Sequence, residues 1–112
     1  MSGITTHILD TSRGKPAAGV PIRLYRLDGA DWHLVGKGST DADGRLKTLV
    51  PDGEMRRGTW RIHFDTGAYF EAGGVDGFYP YAEIVFTVVD AAQHFHVPLL
   101  LNPFGYSTYR GS

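Results

Sequence analysis

The feature that most limits this chain is how often it is interrupted. Thr11-Ser12-Arg13-Gly14-Lys15-Pro16, Asp28-Gly29, Asp41-Ala42-Asp43-Gly44, Gly73-Gly74 and Asn102-Pro103-Phe104-Gly105 are turn sequences. Gly accepts positive φ, Pro fixes φ, and Asp or Asn bonds the backbone just ahead of it. The runs between them are short and mostly alternate with period two, as strands do. In Ile4–Asp10, Thr5, His7 and Leu9 fall on one face and Ile4, Thr6 and Ile8 on the other. Val20–Leu27 turns Val20, Ile22 and Leu24 inward and Arg23 outward, and Asp28-Gly29 closes a hairpin to a strand near Trp32–Thr40. A short strand, Arg45–Leu49, is followed by the charged loop Pro51–Gly58. Thr59–Asp65 then places Trp60, Ile62 and Phe64 on one face. Residues 66–71 read as one or two helical turns, with Thr66 as the N-cap and Gly73-Gly74 as the stop. Tyr81–Val89, His94–Leu101 and Tyr106–Arg110 complete the set. Pro98 lies inside the second of these and predicts an edge or a bulge, because proline has no N–H to give a ladder. The expected fold class is all-β, a two-sheet sandwich of about eight short strands with one short helix.

Other constraints narrow the functional classes. The 112 residues suit a single domain spanning 1–112. There is no cysteine, so disulfides and thiolate metal sites are excluded, and stability must come from packing, helped by subunit association. The formal net charge of −1 lacks the basic footprint of a nucleic-acid binder. The start of the chain does not read as a signal peptide and no run reaches membrane-spanning length, so a cytoplasmic protein with no membrane partner is expected.

No nucleophile elbow, phosphate-cradling glycine loop or HExxH pair is present. The chemistry therefore falls to the five histidines, His7, His33, His63, His94 and His96, the residues able to move protons near neutral pH. Taken singly, each is more simply a structural or solvated group. His94 and His96, two apart on an expected strand, share a face and admit a two-ligand metal reading. A catalytic zinc site usually draws three protein ligands, and the sequence sets no third beside them, so no metal is expected. Arg45, just after the Asp43-Gly44 turn, has a fork of donors suited to a planar ligand. The tail Tyr109-Arg110-Gly111-Ser112 gathers a ring, a guanidinium, a hydroxyl and a carboxylate, a mix suited to a flat heterocycle.

Together, Thr5-Thr6-His7-Ile8-Leu9-Asp10, Gly14-Lys15-Pro16-Ala17-Ala18-Gly19-Val20-Pro21, Thr40-Asp41-Ala42-Asp43-Gly44-Arg45, Tyr79–Phe86 and the stretch from His94 to Ser112 resemble the transthyretin-like 5-hydroxyisourate hydrolases. The middle stretches occur in other β-sandwich modules as well. The terminal Tyr-Arg-Gly-Ser after His-Val-Pro-Leu-Leu-Leu is the specific part, and distinguishes the hydrolases from transthyretin. The resemblance implies the transthyretin-like (prealbumin-like) sandwich and hydrolysis of 5-hydroxyisourate to 2-oxo-4-hydroxy-4-carboxy-5-ureidoimidazoline in urate breakdown. It also implies a homotetramer, a dimer of dimers with sites in the channel between them, and no cofactor. Carried over position by position, it makes His7, Arg45, His96 and Ser112 catalytic, and His7, Arg45, Tyr109, Arg110, Gly111 and Ser112 substrate-binding. The second histidine of the family pattern falls on His96 and not on His94. Two other readings stand beside it. One is a non-enzymatic carrier of a small aromatic ligand, which His7, Arg45, His96 and the polar tail argue against. The other is an adhesive β-sandwich module, which fits only the N-terminal half.

Overall fold

In the computed structural model, which describes residues 3–112, ten strand segments and one helix follow the order β1 Ile4–Asp10, β2 Lys15–Pro16, β3 Pro21–Asp28, β4 Asp31–Ser39, β5 Arg45–Leu46, β6 Gly58–Phe64, α1 Thr66–Ala72, β7 Ala82–Val88, β8 Phe95–His96, β9 Leu99–Asn102 and β10 Gly105–Thr108. They form two sheets. One is a four-stranded antiparallel sheet in the order β4-β3-β6-β7. The other is built around β1, with β9 and then β10 on one side and β2 on the other, and with β5 and β8 also pairing β1.

Alternation decides which side chains fill the space between the sheets. Ile4 and Ile8 from β1, Val20, Ile22 and Leu24 around β3, Trp60, Ile62 and Phe64 from β6, and Leu99 and Leu101 from β9 are all buried. Burying each of the larger side chains contributes roughly 1.5–3 kcal/mol. Trp60 also donates its indole N–H to the Arg56 carbonyl at 2.9 Å, so its polar atom is satisfied inside the core. Asp10 is 1% exposed yet carries a carboxylate. Burial pushes that carboxyl up, but Ser12 and Tyr69 hydroxyls and the Ser12 and Arg13 amides bond it and hold it below the usual carboxylate range.

The sequence and the structure differ in instructive places. About eight strands were expected, and the larger number comes from fragmentation. Arg45–Leu49 contracts to the two residues of β5, the segment after the first turn adds the two-residue β2, and His94–Leu101 divides into β8 and β9. The division falls at Val97-Pro98. Pro98 has no N–H, so the ladder skips there, while the pairing with β1 keeps its parallel register on both sides, Thr5 with His96 and Ile8 with Leu99. Thr6 Oγ1 donates to the Val97 carbonyl at 2.6 Å and occupies the acceptor left in the gap. The last strand ends at Thr108 rather than Arg110, and the chain returns to the sheet only at a His96–Gly111 bridge. The helix is capped by Asp65 rather than Thr66, without a side-chain cap bond; Thr66 is its buried first residue. The Gly67 amide finds a partner instead in the Pro80 carbonyl at 3.0 Å. Among the described residues no helix is long and apolar enough to cross a membrane.

Candidate active site

The cleft that matters opens on the outer face of the β1 sheet. The alternation that turns Ile4, Thr6 and Ile8 into the core turns Thr5 and His7 away from it. His7 is held opposite Arg45 by the antiparallel pairing of β1 with β5. The turn before β5 explains why the pair meets. Asp41 Oδ1 accepts the Asp43 amide at 2.9 Å and the Arg45 amide at 3.0 Å. Gly44, at φ +75°, brings its carbonyl to 2.8 Å from the Ile8 amide. A Cβ on Gly44 would lie 2.5 Å from the Ile8 carbonyl oxygen, so only glycine lets this turn lie so close against β1. The Arg45 backbone bond, with that from Asp43 and the nearby Lys47 and Arg45 cations, holds the Asp41 carboxyl below its ordinary range against a smaller contribution from burial.

From the other end of the sequence, β8 sets His96 beside Thr5 in parallel register. Thr5, Thr6, His94 and His96 form one wall of a cleft of about 250 Å³, and Arg45, Lys47 and Ser112 close it. His96 is half-buried. Burial lowers its pKa below the usual histidine value, and the Arg45 cation, His7 and His94 push in the same direction. The imidazole is therefore neutral at neutral pH, in the form that accepts a proton. The tail is tied to this ring: the Gly111 amide donates to the His96 carbonyl at 2.8 Å. A Cβ at Gly111 would stand 2.6 Å from His96 Cδ2 and 3.2 Å from Pro98 Cγ, so the absence of a side chain there lets Ser112 reach the cleft.

Arg45, His96 and Ser112 thus line one cleft; His7 does not line it but stands opposite Arg45 in the strand pairing and acts electrostatically on His96, and Gly111 bridges to the His96 backbone. Tyr109 and Arg110 do not join them. They line a neighbouring apolar groove of about 360 Å³ with Ile84, Phe86, Val89 and Phe95. The Arg110 guanidinium lies 4.4 Å over the Phe95 ring and donates to Gln93 Oε1 and the His94 carbonyl, both at 3.3 Å. Within the protomer Arg110 therefore clamps the segment that carries the two histidines.

Four cleft residues, Thr5, Thr6, Lys47 and His94, escaped the sequence reading as site members. Lys47 follows Arg45 by two and shares its side of the turn. Thr5 and His94 meet: Thr5 Oγ1 lies 2.9 Å from His94 Nε2 and 2.9 Å from His96 Nδ1. Alternation alone put Thr5 on the face of His7, which was the available signal. No group of three His, Cys, Asp or Glu side chains among the described residues is placed to hold a metal ion. His33 and His63 lie on the other sheet. His63 Nδ1 is 2.9 Å from Glu83 and His33 Nε2 is 3.6 Å from Asp28.

Comparison with known proteins agrees with this architecture. A 5-hydroxyisourate hydrolase of Halalkalibacterium halodurans is 48% identical over the whole of both chains. The crystal structure of transthyretin from Sparus aurata superposes with a TM-score of 0.93 at 31% identity, covering 99% of this chain and 97% of that one. The structure of Klebsiella pneumoniae 5-hydroxyisourate hydrolase superposes with a TM-score of 0.87 at 38% identity over the whole of both chains. The model of the HIUase/Transthyretin family matches residues 4–111, and this chain belongs to that family.

Proposed function

We propose that this chain hydrolyses 5-hydroxyisourate at the His7–Arg45–His96–Ser112 cleft, with 2-oxo-4-hydroxy-4-carboxy-5-ureidoimidazoline as the product. One observation carries the reading. A neutral imidazole, a guanidinium and Ser112 converge on one small cleft from distant parts of the chain, and a second histidine, His7, stands opposite that guanidinium. The relatives bearing the hydrolase name support it. The substrate is an oxidised purine with a hydrolysable acyl–nitrogen bond. Opening it calls for activation of water, support for the developing oxyanion and protonation of the leaving nitrogen. His96 and His7 handle the protons. Arg45 binds the carbonyls and stabilises the oxyanion, and Ser112 orients the substrate. Arg110 and Gly111 hold the histidine segment in place, and Tyr109 offers its ring to the heterocycle from the adjoining groove.

The exposed edges of the two sheets favour self-association into the homotetramer. Strands β7 and β10 end their sheets, and Val85, Val89 and Tyr106 near those edges are 56%, 61% and 39% exposed. Pairing such edges with a second copy protects open strands. Sedimentation velocity checks it, with a tetramer expected and a monomer counting against it.

The carrier reading has the fold in its favour, since a transthyretin superposes closely. A cleft walled by two histidines, Arg45 and Lys47 suits reaction chemistry better than storage of an apolar ligand. The test is direct. 5-Hydroxyisourate is generated in place from urate and a urate oxidase, and its ultraviolet decay is followed with and without the protein. Accelerated decay, abolished by His7→Ala or His96→Ala and unaffected by a chelator, is expected. Unchanged decay with well-folded protein would leave the carrier as the reading to pursue.

A further inference from the structure

Thr5 touches both histidines of the 94–96 segment. Its hydroxyl oxygen sits 2.9 Å from Nε2 of His94 and 2.9 Å from Nδ1 of His96. A hydroxyl has one proton to give, and a neutral imidazole has one N–H and one bare nitrogen. With the Thr5 proton placed in one of these two bonds and both rings neutral, there are two arrangements. In the first, Thr5 donates to His94, His96 donates its Nδ1–H to Thr5, and His96 Nε2 is bare and basic. In the second, Thr5 donates to His96, His94 donates its Nε2–H to Thr5, and His96 Nε2 carries a proton. Passing from one to the other turns His96 from base to acid at the nitrogen away from Thr5.

We propose that Thr5 and His94 form a proton relay that resets His96 between its basic and acidic forms during turnover. The proposal rests on the reading of His96 as a proton-handling residue. His96 Nε2 takes a proton from water as the hydroxide oxygen bonds to the substrate carbonyl carbon. The Nδ1 proton of His96 passes to Thr5 Oγ1 as the Thr5 hydroxyl proton moves to His94 Nε2. His96 is then neutral with its proton on Nε2, and His94 holds the positive charge. When the carbon–nitrogen bond breaks, His96 Nε2 protonates the leaving nitrogen. The Thr5 proton returns to His96 Nδ1, and His94 Nε2 returns its own to Thr5. One proton has travelled from water to the leaving nitrogen and every group is restored.

The surroundings say why the charge would be moved. His96 is half-buried and faces the Arg45 guanidinium, His7 and His94, with Lys47 in the same cleft. A cation on His96 is opposed by all of these. His94 is exposed to solvent, where water stabilises an imidazolium, and its carbonyl is held by Arg110 at 3.3 Å. Thr5 and His94 are thus positioning residues that act through His96.

Thr5→Val keeps the side-chain shape and removes the hydroxyl, and Thr5→Ser returns it. The expected result for Thr5→Val is a fall in kcat of about tenfold, less than the roughly two to four decades that general acid–base catalysis supplies because His96 itself is kept, with KM within about twofold. Thr5→Ser should stay near the parental rate, and added imidazole should restore much of the Thr5→Val loss by replacing the relay. His94→Gln still bonds Thr5 but stores no proton, and should show the same loss and the same rescue. Nitrogen-15 correlations of the histidine rings should find His94 and His96 in matching tautomers in the parent and in uncorrelated ones in Thr5→Val. A parental rate and pH profile for Thr5→Val would overturn the relay, as would equal losses in Thr5→Val and Thr5→Ser that imidazole leaves unchanged. A parental rate in His96→Ala would instead bring down the reading of His96 itself, and the relay with it.

Discussion

The two sheets of this molecule are built to different standards. The β4-β3-β6-β7 sheet pairs long antiparallel strands residue for residue, with a single irregularity between Leu24 and Tyr25. The β1 sheet is assembled from pieces, three of them only two residues long. The regular sheet supplies Trp60, Ile62 and Phe64 to the core. The broken sheet supplies less continuous pairing, and its interruptions make the cleft. The Asp41–Gly44 turn ends where Arg45 must face His7. The gap at Pro98 separates the residue that carries the imidazole from the strand that buries Leu99. The bridge at Gly111 returns the tail to His96. A ladder without interruptions buries apolar surface well, but a site needs places where the backbone departs from it.

That division can be broken deliberately. The largest effect belongs to the regular sheet. Trp60→Ala should cost about 3–5 kcal/mol of stability, the range for deleting a large buried aromatic, as read from denaturant melts. Little change in the midpoint would show that the regular sheet is not where stability resides. Next, His96→Ala should lower kcat/KM by at least about a hundredfold, roughly 2.7 kcal/mol of transition-state stabilisation, with a melting temperature within a few degrees of the parent. A variant that instead unfolds would make His96 a structural residue and weaken the contrast. Gly111→Ala sharpens it further: the added methyl must displace His96 or the tail, and a rate loss of about tenfold with nearly parental stability is expected. Comparable loss of stability and rate would mean that the bridge holds the fold rather than the site.

The smallest effect is a pH dependence. The folded protein lowers the His96 pKa, so the unfolded chain takes up that proton more readily. The contribution of neutral His96 to stability is complete above about pH 6.5, its unfolded value, and is lost as pH falls through the folded value. Chemical denaturation between pH 5 and pH 8 should show this loss in the parent, and His96→Gln should remove that part of it. An identical pH dependence in the variant would place the linkage on other groups.

The same contrast explains what was legible in the sequence. Regular alternation announces itself, and so β1, the inward set of β3 and the buried face of β6 could be read directly. The Asp41–Gly44 turn was visible because glycine and aspartate have few other reasons to stand together. The short pieces were not. Two-residue strands carry no period, and whether Arg45 continues into a strand depends on what β1 offers it. The effect of Pro98 was foreseen as an edge or a bulge, but the retained register on both sides, with the Thr6 hydroxyl bonded to the Val97 carbonyl, was not. Of the candidate site, the resemblance named His7, Arg45, His96 and Ser112, and the last three line the cleft. Thr5 looked like one threonine among several because its role lies in reaching two rings far along the chain. Tyr109 and Arg110 show the converse: adjacency to Gly111 and Ser112 in sequence does not bring their side chains into the same cleft.

One consequence of the parallel pairing between β1 and β8 concerns synthesis. Thr5 and His96 are 91 positions apart, yet their side chains bond directly. A chain growing from a ribosome has already exposed β1 while every partner on its β8–β9 side is still untranslated. The regular sheet, whose strands neighbour one another in sequence from β3 to β7, can assemble during that interval. The candidate cleft cannot, because it needs both β1 and β8, which are far apart in the chain. The cleft is therefore completed only after β8 has emerged. Until then the side of β1 that β8 and β9 will pair is an open strand edge, which can recruit wrong partners.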